Sequence, residues 1–179
     1  MQFRRAISTD YAGLYDLQNR NLRKVLTASE RSDGFLSGAF EQEDFKALND
    51  DLCVVVCVEA ENVLGFLVAS TIEFNKRFAL SGTMIACYAR AKFDGRTLDS
   101  YRSYISGPVC VERAQRGKGI FEGLYKRLFE LLPHQYDLAV TLVASDNPRS
   151  LGAHAKVGFE KVDQFRFNGR VFCILVRKI

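Results

Sequence analysis

The sequence contains no run of about eighteen apolar residues, the length a membrane-spanning helix needs, and its start, Met1 to Ile7, lacks the apolar stretch of a secretory leader. Both absences lead to the expectation of a cytoplasmic protein with no membrane partner. Long basic runs are missing too: the 25 Lys and Arg residues are scattered, and against 21 Asp and Glu they leave a net charge of only +4. That balance argues against a nucleic-acid partner, which calls for a concentrated basic stripe, but it suits a small anionic ligand. Only two histidines occur, neither near Cys53 and Cys57 in sequence, so no metal site is expected. The five cysteines (Cys53, Cys57, Cys87, Cys110 and Cys173) are odd in number and sit mostly inside apolar runs, as buried, reduced thiols do. Internal repeats, low-complexity tracts and linkers are absent as well.

What remains, 47% hydrophobic and 26% charged residues in 179, reads as one soluble domain over residues 1–179 with room for a core. Gln2 to Ile7 forms a short strand, and Ser8-Thr9-Asp10 offers capping oxygens to a helix carrying Tyr11, Leu14, Tyr15, Gln18 and Leu22 at spacings of three and four. Thr27 to Gly38 is rich in Ser and Gly and reads as an irregular loop around Phe35 and Leu36, with a short helix following at Glu41 to Leu48. Leu52 to Val58 and Val63 to Ile72 are strands of a hairpin turning at Glu61-Asn62. Glu73 to Ser100 mixes aromatic and basic residues without a period and gives no assignment. A strand at Tyr104 to Val111 then leads through a glycine turn into a helix with Ile120, Leu124, Leu128 and Leu131 on one face. A strand at Tyr136 to Ala144, a helix at Pro148 to Val157, and strands at Glu160 to Phe167 and Val171 to Arg177 complete the chain. The last two are joined by Asn168-Gly169, the favoured two-residue hairpin turn. The expected fold is a single mixed α/β (α+β) sheet with helices on both sides.

The stretch from Val109 through Gln115-Arg116-Gly117-Lys118-Gly119-Ile120 places strand, glycine turn and helix in succession. Such a turn leaves backbone N–H groups free at a helix N-terminus, where the dipole favours an anion and glycine lets a phosphate approach closely. The Walker pattern fails because Gly119, not Ser or Thr, follows Lys118, and the dinucleotide pattern fails because Gly123 comes one residue late. A plain βα turn with no ligand is the other reading of the same residues.

Gln115 to Ile120 resembles the Gln/Arg-x-x-Gly-x-Gly/Ala signature with which acetyltransferases of the GNAT superfamily hold the pyrophosphate of coenzyme A. Asn147, Ser150, His154, Lys156, Gly158 and Phe159 resemble that superfamily's second signature, an Asn opening a short helix that closes on Lys-x-Gly-Phe. The likeness is good over residues 104 to 177, whereas the first hundred residues agree only in the order of elements. It implies a mostly antiparallel sheet of six or seven strands and acetyl-CoA as co-substrate, with acetyl transfer to a primary amine of a small molecule, peptide or protein. It also implies that Val109, Cys110 and Val111 line the pantetheine arm, that Gln115 to Ile120 cradle the diphosphate, and that Asn147 and Ser150 lie along the cofactor.

Catalytic roles follow from the same resemblance. Many members protonate the leaving thiolate with a Tyr four residues before the glycine of the second signature, and here that position is His154, either a general acid or a histidine packed on a helix face. Glu112 is either a general base or a carboxylate at the positive end of the turn, and Glu73 is a rival base. Cys110 alternates with Val109 and Val111, which favours core packing over an acyl-enzyme. The alternative function is an acyl-CoA-binding module without turnover, acting through a partner. An RNA-binding sheet is disfavoured because the Lys/Arg-Gly-Phe/Tyr-Gly/Ala-Phe signature is absent. Apolar Val171 to Val176 suits either a monomer or a homodimer.

Overall fold

The structure is a computed structural model that describes residues 1–132 and 134–179. In chain order its elements are β1 (Gln2–Arg5), α1 (Tyr11–Arg20), α2 (Ala28–Arg31), α3 (Gln42–Asp51), β2 (Cys53–Glu59), β3 (Asn62–Thr71), α4 (Ile72–Asn75), α5 (Ala79–Ile85), β4 (Lys92–Phe93) and β5 (Arg96–Thr97). There follow β6 (Ser103–Val111), α6 (Ile120–Leu131), β7 (Leu138–Ala144), α7 (Pro148–Lys156), β8 (Glu160–Phe167) and β9 (Arg170–Lys178). Among the described residues, seven strands form a sheet in the order β1-β2-β3-β6-β7-β9-β8, with β4 and β5 a separate hairpin. The β6–β7 pair is parallel, while β1–β2, β2–β3, β7–β9 and β9–β8 are antiparallel, the mixed, mostly antiparallel architecture expected. No helix among the described residues is long and apolar enough to cross a membrane.

The chain divides into two compact units, the first comprising Met1–Ala69 and Gly107–Leu132, the second the remainder. In the first, every residue from Cys53 to Val58 is buried. Successive strand residues face opposite ways, so both faces of β2 are covered. One face carries the row Phe3, Cys57 and Gly65, paired across three strands, and receives α6. A Cβ on Gly65 would lie 3.0 Å from both the Cys110 carbonyl and Ile120 Cγ2, and 3.3 Å from Leu124. The missing side chain is therefore what lets the start of α6 settle onto β3. The opposite face carries Phe66, which meets Phe45 of α3 edge-on at 5.6 Å.

Local chemistry corrects several sequence expectations. Ser8 to Asp10 form a turn of 3-10 helix, and no side chain caps α1. The Asp10 carboxylate instead accepts the Ile7 N–H at 2.7 Å and the Arg4 guanidinium at 2.6 and 2.9 Å. The irregular loop contains α2, opened by a capping box in which Thr27 and Glu30 satisfy each other's backbone N–H. The first hairpin turns at Ala60-Glu61, both at positive φ, and Asn62 already pairs with Glu59. Within 73–100 the chain builds α4, α5 and the β4–β5 hairpin, the last turning at Asp94-Gly95, also at positive φ.

In the second unit β9 lies between β7 and β8 along its length, and the β8–β9 turn is Asn168-Gly169 at φ 47° and 76°, as expected. All five cysteines are free and buried, and no group of His, Cys, Asp and Glu among the described residues could hold a metal ion.

Because Gly65 seats α6, Gly65→Val is expected to destabilise the chain by about 1–3 kcal/mol through overpacking against a backbone carbonyl that cannot move aside. Denaturant unfolding of the two proteins measures this, and equal stability would mean that α6 is not held at this point.

Candidate functional site

Strand β6 pairs with β7 through Ser103, Tyr104 and Ile105 only. Two residues beyond comes Gly107-Pro108, and proline has no N–H to offer a ladder. Gly107, Pro108 and Val109 are half-buried, whereas Cys110 and Val111 are buried. At the strand's end the Glu112 N–H donates to the Leu64 carbonyl at 2.8 Å.

The chain then makes a 3-10 turn over Arg113–Gln115, capped by Glu112, whose Oε1 accepts the Arg113 N–H at 2.8 Å and whose Oε2 pairs with Arg20 at 3.0 Å. Both oxygens of Glu112 are thus engaged, and as a base it would act out of an ion pair. Gly117 and Gly119 sit at φ 79° and 80°, in the left-handed region, and a Cβ on either would meet nothing within 4 Å. Helix α6 begins immediately after, and no side chain caps it. The result is an exposed helix start with positive potential and open space in front of it.

Of the side chains expected around this turn, Lys118 is exposed, with Nζ 2.9 Å from Gln115 Oε1. Arg116 does something the sequence did not indicate. Its Nε donates to the Val111 carbonyl at 3.1 Å, Nη1 to the Asp33 carbonyl at 2.5 Å and Nη2 to Asn21 Oδ1 at 2.6 Å. Its guanidinium is thus engaged within the protein rather than extended toward a ligand. The Cys110 thiol is buried 4.0 Å from the Leu17 carbonyl, and burial pushes it up to about 12, which leaves it a packing group rather than a nucleophile.

Helix α7 of the second unit is fixed at both ends. Asn147 caps it, accepting the Ser150 N–H at 3.2 Å, with Pro148 in the first turn. Gly158, at φ 86°, ends it: the Phe159 N–H returns to the His154 carbonyl at 3.0 Å and the Gly158 N–H to that of Ala155 at 3.0 Å. This is a Schellman motif, which commonly adds a side-chain contact between the two residues that His154 and Phe159 represent. Their rings meet edge-on at 5.4 Å.

His154 is accordingly buried, and burial pushes its pKa down to about 4 despite the hydrogen bond to the Ser150 backbone. Nδ1 lies 2.8 Å from the Ser150 carbonyl, which can only accept, so the single proton of the neutral ring resides on Nδ1. The expectation of a general acid is corrected to this extent: at neutral pH the ring has no second proton to give. Glu73, the rival base, is an exposed residue of α4 paired with Lys76 at 2.6 Å. Phe35 and Tyr88 belong to the core, while Phe74 and Phe78 are half-buried, with the Arg77 guanidinium 3.8 Å over the Phe74 ring.

Comparison with known proteins gives a family and a fold. The model of the acetyltransferase (GNAT) family matches residues 12–159. Among solved structures, Ard1 of Thermoplasma volcanium superposes with a TM-score of 0.67 at 16% identity, covering 99% of this chain and 97% of that one. A ribosomal-protein-alanine N-acetyltransferase of Brucella melitensis gives 0.65 at 16% identity, covering 100% of both chains. The yncA protein of Salmonella typhimurium, solved with its cofactor acetyl-CoA, gives 0.65 at 18%, covering 99% of this chain and 92% of that one. No curated protein sequence matches the chain.

The depressed pKa of His154 has a thermodynamic sign. Unfolding restores an imidazole titrating near 6.5, so below that pH the unfolded chain binds the extra proton. Stability from this residue is present above about pH 6.5 and is lost as pH falls toward 4, by up to about 3 kcal/mol. Urea unfolding from pH 7 downward should show that loss relative to His154→Asn, which retains an amide donor but does not titrate. Parallel pH profiles would place the ring in contact with solvent.

Proposed function

Since the family model spans most of its length, the chain belongs to the acetyltransferase (GNAT) family, an acyltransferase family, and we propose that it moves an acetyl group from acetyl-CoA to a primary amine. The observation that carries this is the start of α6: two left-handed glycines, open space where their side chains would be, and a helix without a side-chain cap. The diphosphate of coenzyme A has the charge and size for that cradle. The N–H groups of the turn and the Lys118 ammonium would hold it, and the half-buried edge Gly107 to Val109 would carry the amides of the pantetheine arm. Of the residues expected on the arm, Cys110 contributes backbone alone, and the Val111 carbonyl already accepts from Arg116.

Acetyl-CoA supplies an activated thioester; the residues of this chain hold it still beside the amine. Attack requires a neutral amine, and a lysine-like amine of pKa about 10.4 must first lose a proton at neutral pH. Neither Glu112, engaged by Arg20 and the Arg113 N–H, nor Glu73, paired with Lys76, is a free carboxylate, so proton removal through water fits the geometry better than direct abstraction. Attack of the neutral amine on the thioester carbonyl forms the C–N bond in a tetrahedral adduct, whose collapse breaks the C–S bond. The nitrogen that became cationic on attack loses its proton, and the departing thiolate takes one from that nitrogen or from water, His154 being neutral. Proximity then accounts for much of the acceleration. The neutral His154 is also the observation that favours the second reading, a binding module without turnover.

Calorimetry of acetyl-CoA with the wild type and with Gly119→Glu tests the proposal. The added carboxylate is expected to weaken binding by at least about 100-fold, since it occupies the diphosphate position with like charge. Absence of binding to the wild type would overturn the proposal, whereas binding without acetyl-CoA consumption across a broad amine panel would select the second reading.

A further inference from the structure

Arg116 joins three segments that are remote in sequence. Its guanidinium donates to the last carbonyl of β6 (Val111, 3.1 Å), to the residue that ends α1 (Asn21, 2.6 Å) and to the loop beyond α2 (Asp33, 2.5 Å). A guanidinium is rigid and planar, so three such bonds fix the three segments in one geometry, which a lysine cannot reproduce. Two further arginines reinforce the same junction. Arg113 reaches Glu30 Oε1 at 3.0 Å and the Glu30 carbonyl at 3.1 Å, and Arg20 reaches back to Glu112 at 3.0 Å.

Backbone hydrogen bonds within segment 21–36 are mostly local, as in the Val25 N–H on the Leu22 carbonyl at 3.0 Å and the Asp33 N–H on the Glu30 carbonyl at 3.1 Å, and Leu22, Leu26, Phe35 and Leu36 are buried. An isolated bridge closes the segment, with the Leu36 N–H on the Asn21 carbonyl at 2.8 Å and the Arg23 N–H on the Leu36 carbonyl at 2.9 Å. Its crest, Ser32 and Asp33, is exposed. Between the segment and the turn, side-chain hydrogen bonds come from Arg113, at Glu30, and from Arg116, which reaches both ends of the segment at Asn21 and Asp33 and immediately precedes Gly117.

We infer that Arg116 is a positioning residue that transmits occupancy of the glycine turn to segment 21–36, and that it does not serve as a ligand of the diphosphate. A ligand that fixes the backbone at Gly117 to Gly119 also fixes the root of the Arg116 side chain. The three attached segments then lose freedom together, so that coenzyme binding orders a loop it does not touch. This rests on the coenzyme reading given above.

The experiment combines calorimetry of coenzyme A with amide hydrogen exchange of the wild type and Arg116→Lys, which keeps the charge and loses the fork. The hydrogen-bonded amides of Arg23, Asp33, Gly34 and Leu36 are the reporters. In the wild type, coenzyme A is expected to slow their exchange by about tenfold. Arg116→Lys should bind coenzyme A within about threefold of the wild type, exchange faster at these amides when free, and lose the response to ligand. Loss of affinity comparable to that of Gly119→Glu would make Arg116 a phosphate ligand and overturn the inference, as would an equal response to ligand in both proteins. If Arg116→Lys does not fold, Asn21→Ala removes one attachment from the far side and must give the same exchange signature. Failure of the wild type to bind coenzyme A overturns the function and the transmitted response together. It is distinguished from failure of the attachment itself by the free proteins, in which Arg116→Lys must still speed exchange in this segment alone.

Discussion

A helix whose first amides find no side-chain acceptor must satisfy them with water or a ligand, and in α6 the residue at the capping position is a glycine. Gly119 occupies the capping position in a left-handed conformation that would strain any residue with a Cβ, and Gly117 repeats that conformation two residues earlier. The chain thereby keeps open a charged end that most helices close. Its placement depends in turn on Gly65, whose missing side chain allows Ile120 and Leu124 to press against β3. Glycines at three positions thus act on one feature: one seats the helix and two leave its start exposed.

The surroundings of that helix start are densely charged. Arg20, Arg113, Arg116 and Lys118 contribute four cations to the junction, against the three carboxylates of Glu30, Asp33 and Glu112. Glu122, in the first turn of α6, brings the carboxylates to four, so the side-chain charges balance and the bias that remains is the partial charge of the helix end itself. All four cations are engaged in contacts within the first unit, Lys118 with the Gln115 side chain and the three arginines with carboxylates, carbonyls or the Asn21 amide oxygen.

What the sequence disclosed and what it withheld divide along the range of the interactions. The β6-turn-α6 sequence, the face of Ile120, Leu124 and Leu128, the Asn147 cap and the Asn168-Gly169 turn are all encoded within a few residues, and all were legible. The Thr27-x-x-Glu30 capping box and Asp94-Gly95 were equally local, but they serve a helix of one turn and strands of two residues, too short to leave a period. Ala60-Glu61 carries no Gly or Asn, so the reading fell one residue late. The role of Arg116 could not have been read at all: its partners Asp33 and Asn21 lie some eighty and ninety-five residues away, and nothing around it marks them. The neutral state of His154 is similarly a product of burial against Phe159, although the Schellman ending that brings the two rings together is written in Gly158.

The five buried cysteines have a practical side. Thiol reagents act on the accessible thiolate, and burial pushes Cys53, Cys57 and Cys110 upward, while Cys87 and Cys173 are covered by the fold. The folded protein is therefore nearly silent to a chromogenic disulfide. In solution with a thioester donor, colour development would report thiol released from the donor, and a sudden additional yield approaching five equivalents would report the protein itself coming apart. The same packing that makes these residues chemically inert turns them into a built-in alarm for unfolding.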